Sequence, residues 1–137
     1  MEKLTFDTGL QRFRVNGGGV LTFNPGDPNL YARVLEAVEK IQALEEQLNT
    51  AQPEALQVMC RLDQEMKEIL GWVFGPGNDF DSMLGGVNLL AVAENGERVV
   101  TNLFAALEPI LVAGAEACAG AAAEAAVQKA QARREAR

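Results

Sequence analysis

The chain has 137 residues, a formal net charge of −7 and no histidine. That length holds one domain with a real core but not two, and the missing histidine removes the commonest general base and the commonest metal ligand together. A hydrophobic content of 48% with 23% charged residues is ordinary for a globular protein and excludes a wholly disordered one.

Met1-Glu2-Lys3-Leu4-Thr5-Phe6-Asp7 carries charges where a leader would need an apolar run, so no signal peptide is expected. Leu4 and Phe6 alternate with polar neighbours, and so do Phe13 and Val15; Val20-Leu21-Thr22-Phe23 follows Asn16-Gly17-Gly18-Gly19. Asn-Gly is a strong turn signal, so the pattern predicts a β-hairpin of 10–16 with 19–24, and a further strand at 3–7. A hairpin of this size is marginal alone in water. It must lie on the rest of the chain or pair with a second copy, which makes Phe13, Val15, Val20 and Phe23 the candidate self-association residues.

Asn24-Pro25-Gly26-Asp27-Pro28 stops the strand and starts a helix, with Asp27 as N-cap and Pro28 at the first helical position. A helix over 28–49 follows, with Tyr31, Val34, Leu35, Val38, Ile41, Leu44 and Leu48 as its apolar stripe. Glu36 and Lys40 stand one turn apart on the polar face in the favourable order. Residues 49–52 form a break. Pro53 opens a second helix over 53–73, with Leu56, Met59, Leu62, Met66, Ile69, Leu70 and Val73 as its stripe and Asp63 and Lys67 as an i,i+4 pair. A short connection between long helices favours an antiparallel helical hairpin.

The chain then turns a corner over 74–95. The stretch 70–88 holds the only Trp and five of the thirteen Gly. Gly75-Pro76-Gly77 ends the helix, Asn78 caps a short turn with Asp79 and Asp81 near its positive end, and Gly85-Gly86 ends that turn. Val87 to Ala93 is apolar and is expected to cross the helical hairpin. Trp72 and Phe74 read first as core anchors and second as a docking patch. With Phe80, Met83 and Leu84 they are the candidate partner-binding residues. Asn95-Gly96 marks another turn. A last helix begins near 96, with Val99, Val100, Leu103, Phe104, Leu107, Ile110 and Leu111 as its packing face and a kink or break at Pro109. Residues 112–137 form an Ala-rich helical tail, weakened by Gly114 and Gly120 and open to fraying. The single domain therefore covers 1–111, and the fold class is mainly α with a small N-terminal β-hairpin (α+β): an antiparallel helical hairpin plus a kinked C-terminal helix.

Charge is uneven along the chain. Residues 36–81 carry ten acidic and three basic side chains, whereas residues 128–137 carry four basic and one acidic. An acidic body repels a phosphate backbone, so no nucleic-acid partner is expected. The run Val99 to Val127 is interrupted by Glu108, Glu116 and Glu124 and leaves no uninterrupted apolar stretch of the ~18 residues that a span needs. No membrane association is expected, and the reading is a soluble cytoplasmic protein. Cys60 and Cys118 belong to no metal or redox motif and read as buried free thiols.

No catalytic, cofactor-binding or metal site emerges. Gly17-Gly18-Gly19 lacks the Lys-Ser/Thr of a phosphate loop. Asp79-Phe80-Asp81 lacks the remaining ligands of a calcium loop. Glu45, Glu46, Asp63, Glu65 and Glu68 read as solvated outer-face carboxylates. The chain is therefore not expected to be an enzyme.

Three features together resemble one family. They are Phe23-Asn24-Pro25-Gly26-Asp27-Pro28 entering a long acidic helix; Ile69-Leu70-Gly71-Trp72-Val73-Phe74-Gly75-Pro76-Gly77 followed by Phe80 and Met83-Leu84-Gly85-Gly86-Val87-Asn88; and Leu103-Phe104-Ala105-Ala106-Leu107-Glu108-Pro109-Ile110 running toward a basic C-terminus. Over about 20–111 this order resembles small tail proteins of siphophages and prophages of Gram-positive hosts, notably the tail assembly chaperone-like group. The resemblance implies a non-enzymatic, cofactor-free homo-oligomer in the bacterial host cytoplasm. Such a protein keeps the tape measure protein soluble and recruits tail tube protein. The family supplies no catalytic residues. Its relatives carry aromatic, Lys-rich tails, whereas this tail is Ala-rich with Lys129, Arg133 and Arg134. Two other readings stand beside it: a structural minor tail or head–tail connector protein retained in the virion, and a host helical adaptor.

Overall fold

The computed structural model describes residues 1–48 and 54–135. Helix accounts for 61%, joined to one two-stranded antiparallel hairpin and a long bent C-terminal helix, which is the α+β class expected. Strands β1 (Gln11–Arg14) and β2 (Val20–Phe23) pair with Gln11 opposite Phe23 and Arg14 opposite Val20. Asn16 and Gly17 take φ of 51° and 74°, the left-handed pair that a tight hairpin turn requires. The hairpin buries Leu21 and Phe23 to 2% exposure, so it lies on the body. The expected strand at 3–7 is absent: residues 1–10 form neither helix nor strand and have no strand partner among the described residues.

Helix α1 (Pro28–Glu46) starts where Asp27 accepts a hydrogen bond from the Asn29 N–H at 2.9 Å. Helix α2 (Ala55–Phe74) packs antiparallel against it and ends at Gly75, whose φ of 98° suits glycine. The expected break at 49–52 and the helix start at Pro53 lie outside the described residues. The buried seam of α1 is Leu30, Val34, Ala37 and Ile41. Tyr31 and Leu35, expected on the stripe, are 45% and 56% exposed. The true seam is narrower: Tyr31 and Leu35 stand one position, about 100°, around the helix from Leu30 and Val34 and face the open groove beside α4. On α2, Leu62, Met66, Leu70 and Val73 are buried as expected, but Leu56 is exposed.

Short helix α3 (Phe80–Met83) is capped by Asp79, which accepts from the Asp81 and Ser82 N–H groups, not by Asn78. Residues 87–93 then cross the helical hairpin with Leu89 and Leu90 almost fully buried. A turn at Asn95-Gly96 sets Val92 opposite Arg98 and leads into α4 (Val99–Glu135). Val100, Leu107 and Leu111 are its buried contacts, with Val99, Leu103, Phe104 and Ile110 partly buried beside them. Pro109 lies inside this helix, which bends without breaking. Leu107 and Leu111 hold the body on either side of the proline, so packing keeps both halves in line despite the missing backbone donor.

Three further expectations are corrected. Cys60 is exposed and Cys118 is only partly buried, because α2 turns Cys60 outward and Cys118 lines a groove between α4 and the loop before α1. Trp72 is 46% exposed, because it lies in the open groove between α1 and α2, beside the Leu70–Val73 seam rather than in it. Asp63 is buried, on the same face as Met66 and Leu70.

Gly114 has a specific task. A Cβ there would overlap the Pro25 carbonyl, so only glycine lets α4 pass the loop before α1. A Cβ at Gly120 would meet nothing within 4 Å. Gly114→Val is therefore expected to lower stability by about 1–3 kcal/mol, whereas Gly120→Ala leaves it unchanged or raises it by up to about 1 kcal/mol. Urea denaturation followed by far-UV circular dichroism checks both.

Candidate functional site

The corner is built around Lys67. Its ammonium reaches Asp63 Oδ2 at 2.9 Å, Asp81 Oδ1 at 2.6 Å and the Val87 carbonyl at 2.9 Å, which fills all three of its donors. The i,i+4 pair with Asp63 was legible; the partners from α3 and from residue 87 were not. The Lys67 side chain is 9% exposed and that of Asp63 is 12%. Burial works against the charge on Lys67, but the hydrogen bonds and charges of Asp81 and Asp63 outweigh it and raise its pKa above the ordinary 10.5. The other oxygen of Asp63 accepts the Leu89 N–H at 2.8 Å. Asn88 reaches the Met59 carbonyl at 3.3 Å. The sequence held one signal for this: Asp63 sits at helical spacing from Met66 and Leu70, a carboxylate on an apolar face.

A second clip joins the corner to the hairpin. Asn78 accepts the Thr22 N–H and donates to the Thr22 carbonyl, both at 2.9 Å, as a neighbouring strand would. The same amide nitrogen donates to the Phe74 carbonyl at 3.0 Å. Beneath it, Phe13, Phe23, Phe74 and Phe80 form a ladder with successive ring centroids 4.9, 4.9 and 5.5 Å apart. These contacts explain where the candidate residues fall. Phe23, Phe74, Phe80 and Met83 are buried within the chain and are not available to a partner. The ladder consumes the three phenylalanines, and Met83 packs against Gly19, where a Cβ would approach the Met83 Cα to 2.9 Å. Trp72, Leu84, Phe13, Val15 and Val20 keep exposed or partly exposed surface.

Those residues line or border apolar grooves. One, of about 540 Å³, lies between α1 and α2 over Ala43, Leu44, Ile69 and Trp72, with Glu65 and Glu68 on its rim. Lys40 stands 5.0 Å from the Trp72 ring centroid and pairs with Glu36 at 3.2 Å, as the spacing predicted. A second groove, of about 480 Å³, lies between α1 and α4 and includes Tyr31, Leu35, Val38, Phe104 and Val112. A third, of about 460 Å³, lies between the hairpin, the corner and α4 and includes Phe13, Val15, Leu84, Val87 and Leu103. The second groove was missed by sequence reasoning, which assigned Tyr31 and Leu35 to the core.

The carboxylates of the corner are engaged in structure. Asp79 caps α3, Asp81 and Asp63 hold Lys67, and no group of three or more metal-ligating side chains occurs among the described residues. Val99–Arg133 is long and apolar enough to cross a membrane by length and composition, with an 18-residue window of mean hydropathy 1.5 that is 6% buried. Its large apolar side chains, however, are mostly those that pack on the body, and beyond Gly114 it is mostly Ala with Glu116 and Glu124. Comparison with known proteins finds no matching family model, no matching curated protein and no matching solved structure.

Lys67→Met leaves Asp63 buried without its counter-charge and is expected to cost about 3–5 kcal/mol. Asp81→Asn, at a carboxylate 65% exposed, should cost about 1 kcal/mol or less. Because the Lys67 pKa is raised on folding, its contribution is full below 10.5 and falls as pH rises through the folded value. The gap between the thermal melts of the native protein and Lys67→Met should therefore narrow as pH rises through that point.

Proposed function

We propose that the chain is a non-enzymatic tail assembly chaperone-like protein that binds helical segments of a tape measure protein, and tail tube subunits, during phage tail morphogenesis. The observation that carries the reading is the α1–α4 groove. Tyr31 and Leu35 are 45% and 56% exposed on a helix face that ends against α4. A helix laid there buries apolar surface against both α1 and α4, the groove mode by which amphipathic helices are recognised. The acidic exterior, −7 over 137 residues, keeps such a surface from non-specific collapse. The corner contributes through Trp72 and Leu84, its exposed members, rather than through the buried Phe74, Phe80 and Met83.

In this reading the protein works in the bacterial host cytoplasm as a homo-oligomer, without cofactor, nucleic acid or membrane. Glu108, Glu116 and Glu124 within α4 favour an aqueous setting for the helix. The hairpin supplies the self-association surface through Phe13, Val15 and Val20.

The test looks for a tape measure reading frame in the neighbourhood of this gene and co-expresses the two proteins. The native protein should keep the tape measure protein soluble and co-purify with it. Leu35→Glu, at an exposed position, should lose co-purification by at least about tenfold in affinity while its own melting temperature stays unchanged. A tape measure protein equally insoluble with and without the native chain would sink the reading.

A further inference from the structure

The first ten residues are built to leave the body. Gly9 has φ of 79°, and a Cβ on it would come within 2.6 Å of Asn24 Nδ2. The Gly9 N–H donates to Asp7 Oδ1 at 2.7 Å, and Asn24 Nδ2 donates to the Thr8 carbonyl at 3.0 Å. This elbow fixes the direction in which the arm departs. Yet the arm's own apolar side chains gain nothing from it: Leu4 is 88% exposed, Phe6 71% and Leu10 64%. Leu4 and Phe6 are two residues apart, so an extended arm presents both on one face.

The hairpin offers the complementary surface. Val15 and Gly19 form a hydrogen-bonded pair, so, by the alternation of an antiparallel ladder, the backbone groups of Arg12, Arg14, Val20 and Thr22 point away from the partner strand. On the β2 side, Asn78 occupies those of Thr22. On the β1 side, those of Arg12 and Arg14 have no partner among the described residues. The open edge is therefore on β1. It borders the groove that includes Phe13, Val15, Leu84, Val87 and Leu103. The arm's charges are mixed, Glu2 and Asp7 with Lys3 between them, and the exposed edge carries Arg12 and Arg14.

We propose that the arm of a second copy adds as a strand along the β1 edge, with Leu4 and Phe6 seated in the groove beside Phe13 and Val15, and that two copies exchange arms reciprocally. The same contact, made in both directions, gives a closed twofold pair. Main-chain hydrogen bonds to Arg12 and Arg14 set the register, and the alternate side chains give specificity. The inference rests on the self-association part of the reading above and not on the identity of the client.

The test measures association of the full chain by sedimentation equilibrium across a wide concentration range. One variant, Leu4→Glu with Phe6→Glu, disables the arm. Another, Arg12→Pro, blocks the edge by removing an outward N–H that the hairpin itself does not use. Far-UV circular dichroism and melting curves should match the native chain, since all three positions are exposed. The native chain should dimerise, and each variant should weaken dimerisation by at least about a hundredfold, the loss expected for two large apolar side chains or the backbone ladder. An equimolar mixture should recover a dimer weaker than the native one, held by one of the two reciprocal contacts, because the edge-blocked chain still donates an arm and the arm-disabled chain still accepts one. If the native chain associates and the arm variant does so equally, the arm exchange is wrong while self-association stands. If the mixture fails to associate, arm and edge do not meet. A native chain that stays monomeric overturns both, and the client experiment above remains a separate result.

Discussion

One buried ammonium ties together elements that are distant in sequence. Lys67 on α2 neutralises Asp63 one turn away, reaches Asp81 on α3 and caps the Val87 carbonyl. Asp63, held in place, accepts the Leu89 N–H. The Leu89 carbonyl in turn accepts the Val100 N–H at 2.9 Å, at the first turn of α4. A chain of dependence thus runs from one lysine to the direction of the longest helix. Leu89 and Leu90 reach exposures of 0% and 1% because the backbone of the turn they form is satisfied in this way. Without the cation, Asp63 would be a buried, uncompensated charge and the crossing segment would lose its anchor.

The same arrangement decides what remains for partners. Phe74, Phe80 and Met83 are consumed in joining the corner to the hairpin, through the aromatic ladder and the close approach of Gly19. Apolar surface is left instead on the flanks: Tyr31 and Leu35 beside α4, Trp72 over α2, and Leu4 and Phe6 on the arm. The glycine-rich corner looks at first like a ligand loop. Its polar side chains spend themselves on the chain's own backbone and on Lys67, so its role is to brace the grooves rather than to be one.

Most of the architecture was legible because it follows from periodicity and punctuation. Asn16-Gly17, Asp27-Pro28, Gly75 and Asn95-Gly96 each act locally, and local signals survive folding. The strand at 3–7 failed for a physical reason: alternation specifies a strand's faces, but a strand needs a neighbour, and the described chain offers none. The helix stripes were read too wide on α1, since a seven-residue apolar pattern cannot show which residues at its edge the neighbouring helices cover, and Tyr31 and Leu35 are left outside. Pro109 predicted a kink, and α4 bends without breaking because Leu107 and Leu111 hold both halves. The site was less legible still. Asp63–Lys67 looked like a solvated helix pair, and its partners at 81, 87 and 89 come from a tertiary crossing that spacing along one helix does not encode. Asn78 was read as a cap, whereas its amide imitates a strand against Thr22.

Native-state amide hydrogen exchange addresses the bracing role of the corner most directly. If the Lys67 network governs the fold, the Leu89 and Val100 amides exchange only with global unfolding, alongside the buried amides of Leu62 to Leu70 on α2. If instead those two amides exchange rapidly while α2 stays protected, the corner opens independently of the helical hairpin, and the account is contradicted.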